Sequence, residues 1–263
     1  VHIRTKTRID SKGRKILFVE EIQSDWHQKG LKEGYARKVF KVRNRVSGNF
    51  GLSFDTKAEA EKYASTFHPR IKQSIEIFED IDGDIPDAPL KDTKEWTALT
   101  IKRIFREAAD QGYDGVAFSR ADMITPLVTL PKDEAVGMLG NPEAFMARLA
   151  DLKKQGGYSA EGAEQAEKVF GGNQYYYDKL IPSIAKRESF VPPERLPDET
   201  TKQYQSRVKA ARKARPQTTQ IDIEGPWAGD KSFEVPFFEL SKEVKDKVVK
   251  PQKLYSVALP GIA

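Results

Sequence analysis

Residues 92–118 read DTKEWTALTIKRIFREAADQGYDGVAF, and this stretch decides the fold. Asp92-Thr93-Lys94-Glu95 has the form of a helix cap: an oxygen-bearing side chain for the unpaired amides, and an acid in the first turn. Trp96, Leu99, Ile104, Phe105 and Ala108 then fall on one apolar stripe of a helix that runs to Gln111. Gly112 is its stop, because glycine takes the backbone conformation that ends a helix. Tyr113-Asp114-Gly115 makes a tight turn into the short apolar strand Val116-Ala117-Phe118. A helix that returns at once into a strand predicts an α+β protein: a small mixed or antiparallel sheet core flanked by helices.

Working outward, residues 1–9 alternate, Asp10-Ser11-Lys12-Gly13 is a turn, and residues 15–22 (KILFVEEI) form a second strand, so the chain opens as a hairpin. A short helix follows from about Asp25 to about Tyr35, weakened by Gly30 and Gly34. Residues 39–54 read as two short strands around Ser47-Gly48. The capping box at Thr56 and Glu59 opens a helix to about Phe67, residues 71–78 make a strand, and residues 80–89 a loop. Beyond Phe118 helical signals dominate: 132–139, 142–155 between an Asn141 cap and a Gly156 stop, 159–170, and 174–187, which Pro182 must kink or end. A proline-rich linker at 191–197 leads to a basic helix. Strands return at 218–223 and 233–238, Ser241 caps a last helix, and 254–259 is a final apolar segment. The expected organisation is a mixed core of residues 1–120 plus 217–263, with a helical insertion at 121–216.

Composition narrows the function classes. The 263 residues hold 44 Lys+Arg and 39 Asp+Glu, a net charge of +5, which speaks for one or two domains of ordinary surface charge. No cysteine is present, so disulfides, thiolate metal sites and a cysteine nucleophile are excluded. Three histidines, His2, His27 and His68, argue against a multi-histidine metal site, and no metal is expected. No apolar run approaches the ~18 residues of a membrane span, and no secretory signal is expected. A soluble protein of a reducing compartment is expected, and Val1 in first position points to a segment of a longer polypeptide. Glycine-rich phosphate loops are absent, and Asp80–Asp84 lacks the glutamate that a calcium loop needs.

Charge is concentrated in one place. Lys202, Arg207, Lys209, Arg212, Lys213 and Arg215 follow one another with no acid between them. Such a helix is either a solvated face or a track for phosphates, with Arg207, Lys209, Arg212 and Lys213 as the nucleic-acid contacts.

The densest polar cluster is Glu20-Glu21-Ile22-Gln23-Ser24-Asp25-Trp26-His27-Gln28, where a strand ends and a helix begins. Strand alternation would put Glu21 and Gln23 on one face, Glu20 and Ile22 on the other. Glu21 suits a general base or electrostatic stabiliser and His27 a proton carrier, with Gln23, Ser24 and Asp25 beside them. The plainer reading is a capped strand–helix connection with Trp26 as a core anchor. Ser119 and Arg120 follow the central strand, and Tyr177 and Lys179 sit on a later helix; these are the candidate ligand-binding residues, with Arg4 on the first strand. Glu21, Gln23, Ser24 and Asp25 are expected to share a cleft with residues 119–122.

The string Phe18-Val-Glu-Glu-Ile-Gln-Ser-Asp-Trp-His-Gln28 resembles a signature of the large multidomain polyvalent proteins of phages and mobile elements. Supporting pieces follow in order: Pro86-Asp87-Ala88-Pro89, Gly112-Tyr113-Asp114-Gly115, Gly171-Gly172 before Tyr177-Asp178-Lys179-Leu180-Ile181-Pro182, Phe237-Phe238-Glu239-Leu240-Ser241, and Gln252 to Ser256. The sequence departs from the family after the central strand, where Phe118-Ser119-Arg120-Ala121-Asp122-Met123 stands in place of Trp-Thr-Thr-Gly-Glu-Gln-Gln. A looser resemblance is to ADP-ribosyltransferase-like phage domains and toxins. It implies NAD as cofactor, His2 or Arg4 on an early strand, Ser119 on a middle strand and Glu234 or Glu239 on a late one. Together these imply a phage-encoded effector of the virion or host cytoplasm that modifies host macromolecules, or a non-catalytic accessory domain that binds nucleic acid or a host protein.

Overall fold

The computed structural model describes residues 1–48, 50–214, 216–223 and 231–250. Arg215 and the expected apolar segment at 254–259 lie outside the described residues, as does the Gln252 to Ser256 motif. In chain order the elements are β1 (His2–Ile9), β2 (Lys15–Gln23), α1 (Asp25–Glu33), β3 (Arg37–Asn44), β4 (Phe50–Phe54), α2 (Lys57–Ser65), α3 (Pro69–Lys72), β5 (Ile75–Asp82), α4 (Thr93–Asp110), β6 (Gly115–Phe118), α5 (Ala121–Thr129), α6 (Lys132–Met138), α7 (Pro142–Gln155), α8 (Gly157–Asn173), a π-helix (Gln174–Leu180), α9 (Ile181–Ser189), α10 (Thr201–Lys213), β7 (Gln217–Ile223), β8 (Lys231–Glu239) and α11 (Lys242–Val249). The protein is α+β. It divides into two compact units: Val1–Gln23 with Lys94–Ala263, and Ser24–Thr93. Residues 24–93, which the sequence assigns to one core with their neighbours, thus form a body of their own.

The first unit holds a five-stranded mixed sheet in the order β1-β2-β6-β8-β7. Only β2 and β6 run parallel; the other pairs are antiparallel. Ile16 and Phe18 of β2 enter a core with Ala117, Met123, Leu139, Ile221, Phe233, Val235 and Phe237. On the opposite face Phe118 and Phe238 pack on Phe105 of α4, with ring centroids 5.8 to 6.5 Å apart. A strand covered on both faces carries an unbroken apolar run, and Ile16-Leu17-Phe18-Val19 is one. A second apolar core joins α5, α7 and α8 through Ala121, Phe145, Leu149, Ala163, Ala166 and Phe170.

The Gly112-Tyr113-Asp114-Gly115 turn does more than stop α4. Gly112 has φ +72°, the left-handed stop. Asp114 receives the Lys15 amide on its carboxylate (2.8 Å) and the Leu240 amide on its carbonyl (2.8 Å). It thereby ties the start of β2 to the end of β8. Gly115 is required by space: a β-carbon there would lie 2.1 Å from Cε2 of Phe237.

Two further connections follow from local chemistry. Pro182 has no amide hydrogen, so an ordinary α-turn through it would leave a carbonyl without its donor. The chain approaches this point in the wider π-turn, where the Ile181 amide reaches the Tyr176 carbonyl, and α9 begins at Ile181 with the proline as its second residue, where an amide donor is not needed. The Lys247 ammonium of α11 donates to the carbonyls of Glu188 (2.6 Å) and Phe190 (3.0 Å), filling acceptors that the end of α9 leaves open.

The second unit is an antiparallel sheet, β4-β3-β5, packed on α2. Thr56 and Glu59 form both halves of the capping box. β5 starts later than residue 71 because Pro69 opens α3, and it runs through Asp80 and Asp82, which the sequence assigns to a loop. Cations of β3 hold that acidic strand: Lys38–Glu79 and Lys41–Asp80 at 2.7 Å, and Arg37–Asp82 at 3.6 Å.

The edges of the first sheet meet through Asp10, which bridges Ile221 of β7. Its solvent-inaccessible carboxylate accepts from the Lys12 and Arg14 amides (2.9 Å each), the Arg14 guanidinium (2.6 and 2.8 Å) and the Thr219 hydroxyl (2.7 Å). Burial alone would raise its pKa; the bonds from Arg14, Thr219 and Lys12 outweigh it and hold the value at about 2. A carboxylate depressed on folding stabilises the fold above its unfolded pKa of about 4 and ceases to as pH falls through the folded value. The melting temperature should therefore fall between about pH 4 and about pH 2. Asp10→Asn should lower it at neutral pH and flatten this acid limb, read by circular dichroism across that range. An unchanged acid limb in the variant would assign the loss to other carboxylates.

Candidate functional site

The parallel pair β2/β6 brings two strand carboxyl ends side by side, the usual place for a site in a mixed sheet. The pairing runs from Ile16 opposite Gly115 to Val19 opposite Phe118, and the Ser119 amide extends it by donating to the Val19 carbonyl (3.0 Å). Ser119 itself is 3 % exposed. Arg120 turns the chain into α5, and its guanidinium grips Asp122 (3.0 and 2.6 Å) and the Glu234 carbonyl (2.8 Å).

A β-bulge reshapes the end of β2. Arg4 lies opposite Glu21 but Thr5 opposite Val19, so Glu20 is the extra residue. Glu21 pairs with Arg4 at 3.1 Å, and Glu20 with Lys6 at 3.2 Å and Arg8 at 3.9 Å. Arg4, Lys6 and Arg8 alternate along β1 and share one face. Both carboxylates therefore face the same way, not opposite ways as simple alternation would have it. The bulge supplies the half-period that alternation lacks.

The π-helix closes over this end. The Tyr177 hydroxyl donates to the Ile22 carbonyl at the tip of β2 (3.4 Å), and the Asp178 carboxylate accepts the Ala121 amide, the first of α5 (2.9 Å). Arg120, at the cap position of α5, makes no side-chain cap bond, so Asp178 caps the helix from outside. Burial, with Glu21 nearby, pushes Tyr177 up to about 12, against the opposing pull of Ile22 and Arg4. The phenol thus stays a neutral donor across the physiological range. Desolvation pushes Asp178 above the usual carboxylate range, and the neighbouring Asp122 adds to it. Seven residues of π-helix are uncommon, and such turns gather at functional sites.

The sequence candidates divide between the two units. Arg4, Glu21, Ser119, Arg120 and Tyr177 belong to the first, at the carboxyl end of β2 and β6. Gln23 is half-buried and pairs with His2 in register. Lys179 is exposed. Ser24, Asp25 and His27 belong to the second unit, where they start α1. The Ser24 oxygen accepts the His27 amide (3.4 Å) and lies 2.7 Å from Nδ1 of the same ring. Trp26, expected as a core anchor, is 42 % exposed and donates its indole N–H to the Pro86 carbonyl (2.8 Å), linking two of the motif segments. Of the two late-strand glutamates, Glu239 pairs with Gly115 at the far, amino end of β6. Glu234 lies at the near end, where its carboxylate accepts from the Thr218 hydroxyl (2.5 Å). Glu20, Lys6, Arg8 and Asp178 were not among the expected site residues. The signal for the first three was the alternation of Arg4, Lys6 and Arg8 against two adjacent glutamates.

The second unit has an open cavity of about 900 Å³ lined by Arg37, Lys38, Asp80, Ile81, Asp87 and Lys91. Its cations are paired internally, Lys91 with Asp87 at 2.6 Å among them. Among the described residues no group of three His, Asp or Glu side chains is placed to hold a metal, and no helix is long and apolar enough to cross a membrane. No family model, curated protein or solved structure matches the chain.

If Asp178 caps α5, Asp178→Ala should lower unfolding free energy by about 1 kcal/mol, while Lys179→Ala should leave it unchanged. Equal effects in urea denaturation would remove the capping role.

Proposed function

We propose that the first unit is an ADP-ribosyltransferase-like enzyme of a phage or mobile-element effector, using NAD as its substrate at the carboxyl ends of β2 and β6. The observation that carries this reading is the convergence there of three separate sequence segments. The end of β2 carries Glu21, residues 119–122 follow β6, and Tyr177 and Asp178 bond to both. The residues fit the substrate's chemistry. Arg4 is 68 % exposed and suits the diphosphate, while Glu21 is three-quarters buried and fixed on a strand.

In the transfer, the bond between ribose C1′ and the nicotinamide nitrogen breaks, and nicotinamide leaves with the bonding pair. The sugar becomes positive, and Glu21 stabilises that charge. A nucleophile of the host macromolecule then bonds to C1′ and loses its proton to solvent. Arg4 and Glu21 neutralise each other before substrate arrives. Movement of Arg4 to the diphosphate would free Glu21 for the sugar, so binding and activation are coupled. Glu239 is at the wrong end of β6 for this role. Glu234 is the competing carboxylate; it accepts from the Thr218 hydroxyl, and among the described residues no cation pairs with it. Such an enzyme would work in the host cytoplasm or be carried in the virion.

Calorimetry should detect NAD binding, and nicotinamide release with host lysate as acceptor should measure turnover. Glu21→Gln should lower turnover by roughly 10²- to 10³-fold with the fold intact, and Glu234→Gln should not. Absence of NAD binding at millimolar concentration sinks the reading; a larger loss in Glu234→Gln moves the role to that residue.

A further inference from the structure

Helix α10 carries no buried residue, yet it has a defined orientation. The Arg207 guanidinium donates to both carboxylate oxygens of Glu199 (2.9 and 2.8 Å), whose side chain is nearly buried, and to the Glu194 carbonyl. Tyr204 lies against Arg195, and Arg207, Tyr204 and Val208 are the half-buried residues of the helix. At 100° per residue these three cluster on one side. Lys202, Lys209 and Lys213, spaced by seven and four, fall within about 40° of one another on the opposite side, with Gln205 and Ser206 between them along the helix. The stripe is about 16 Å long. All five residues are exposed, no described residue forms an ion pair with any of the three lysines, and no acid occurs from Lys202 to the end of the helix. Arg212 borders the stripe over the Phe190 ring, at 5.1 Å.

We propose that this stripe docks the phosphate backbone of a nucleic acid. Exposed lysines on one side of a helix, with no described ion-pair partner, match closely spaced phosphates, and Ser206 and Gln205 add neutral donors of the kind that phosphates also accept. A membrane surface is disfavoured because an interfacial helix needs a free apolar face; the apolar side chains Tyr204 and Val208 lie on the docked side. The contact set differs from the one expected from sequence. Arg207 is withdrawn into the clamp, and Lys202 takes its place. This surface is independent of the NAD reading.

The test is fluorescence anisotropy of the full chain with a labelled DNA duplex of about 20 base pairs, titrated from about 50 to about 200 mM salt. Wild type should bind with steep salt dependence. The triple variant Lys202→Ala/Lys209→Ala/Lys213→Ala should bind weakly, with the log–log salt slope reduced by about 2 to 3. The corresponding triple Lys→Arg variant should restore binding. None of the three side chains is buried or paired with a described residue, so the circular dichroism spectrum and melting temperature should not move. Failure of wild type to bind at the lowest salt, or an unchanged slope in the Ala variant, overturns the proposal. So does stronger binding to phosphatidylserine vesicles than to the duplex.

Discussion

A single carboxylate without access to water, Asp10, holds the two edges of the main sheet together. Its oxygens take the Lys12 and Arg14 amides and the Arg14 guanidinium from the β1–β2 turn, and one hydroxyl from β7. A buried charge is tolerated only when it is this fully bonded, and leaving any partner unpaired is strongly destabilising. The arrangement therefore fixes where β2 begins. That start sets the parallel register with β6, and the register determines which residues emerge together at the far end. Arg14 contributes twice, since its guanidinium also lies 4.0 Å from the centre of the Phe237 ring.

The sequence discloses those parts of the molecule whose causes are local. The end of α4 at Gly112, the capping box of α2 and the limits of α7 between Asn141 and Gly156 each depend on residues within one turn of the boundary. The bulge at Glu20 is different. It is a property of the pairing between β1 and β2, and nothing within residues 15–23 announces an extra residue. The acidic β5 is legible only beside the basic β3. Pro182 signals a break, but whether the chain answers with a kink or a π-turn depends on what Tyr177 and Asp178 can reach.

The candidate site was partly legible for the same reason. Glu21, Ser119, Arg120 and Tyr177 stand out as polar groups next to apolar runs, and they do gather at one end of the sheet. Ser24, Asp25 and His27 stand out equally, yet their mutual bonds are those of a helix start. A polar motif that crosses a boundary between compact units reads in one dimension as a single feature. Arg207 shows the reverse case: a charge in a basic run that is spent internally, because an acid outside the run, Glu199, lies within its reach.

The close approach of β8 to Gly115 links positions 122 residues apart through space rather than through any polar bond. A side chain at 115 would meet both the Phe237 ring and the backbone carbonyl of Phe238, so glycine is held there by side chain and main chain alike. In related chains glycine should persist at 115 whatever aromatic or aliphatic residue stands at 237. That invariant glycine would leave a trace of this fold in alignments even where every polar residue has been replaced.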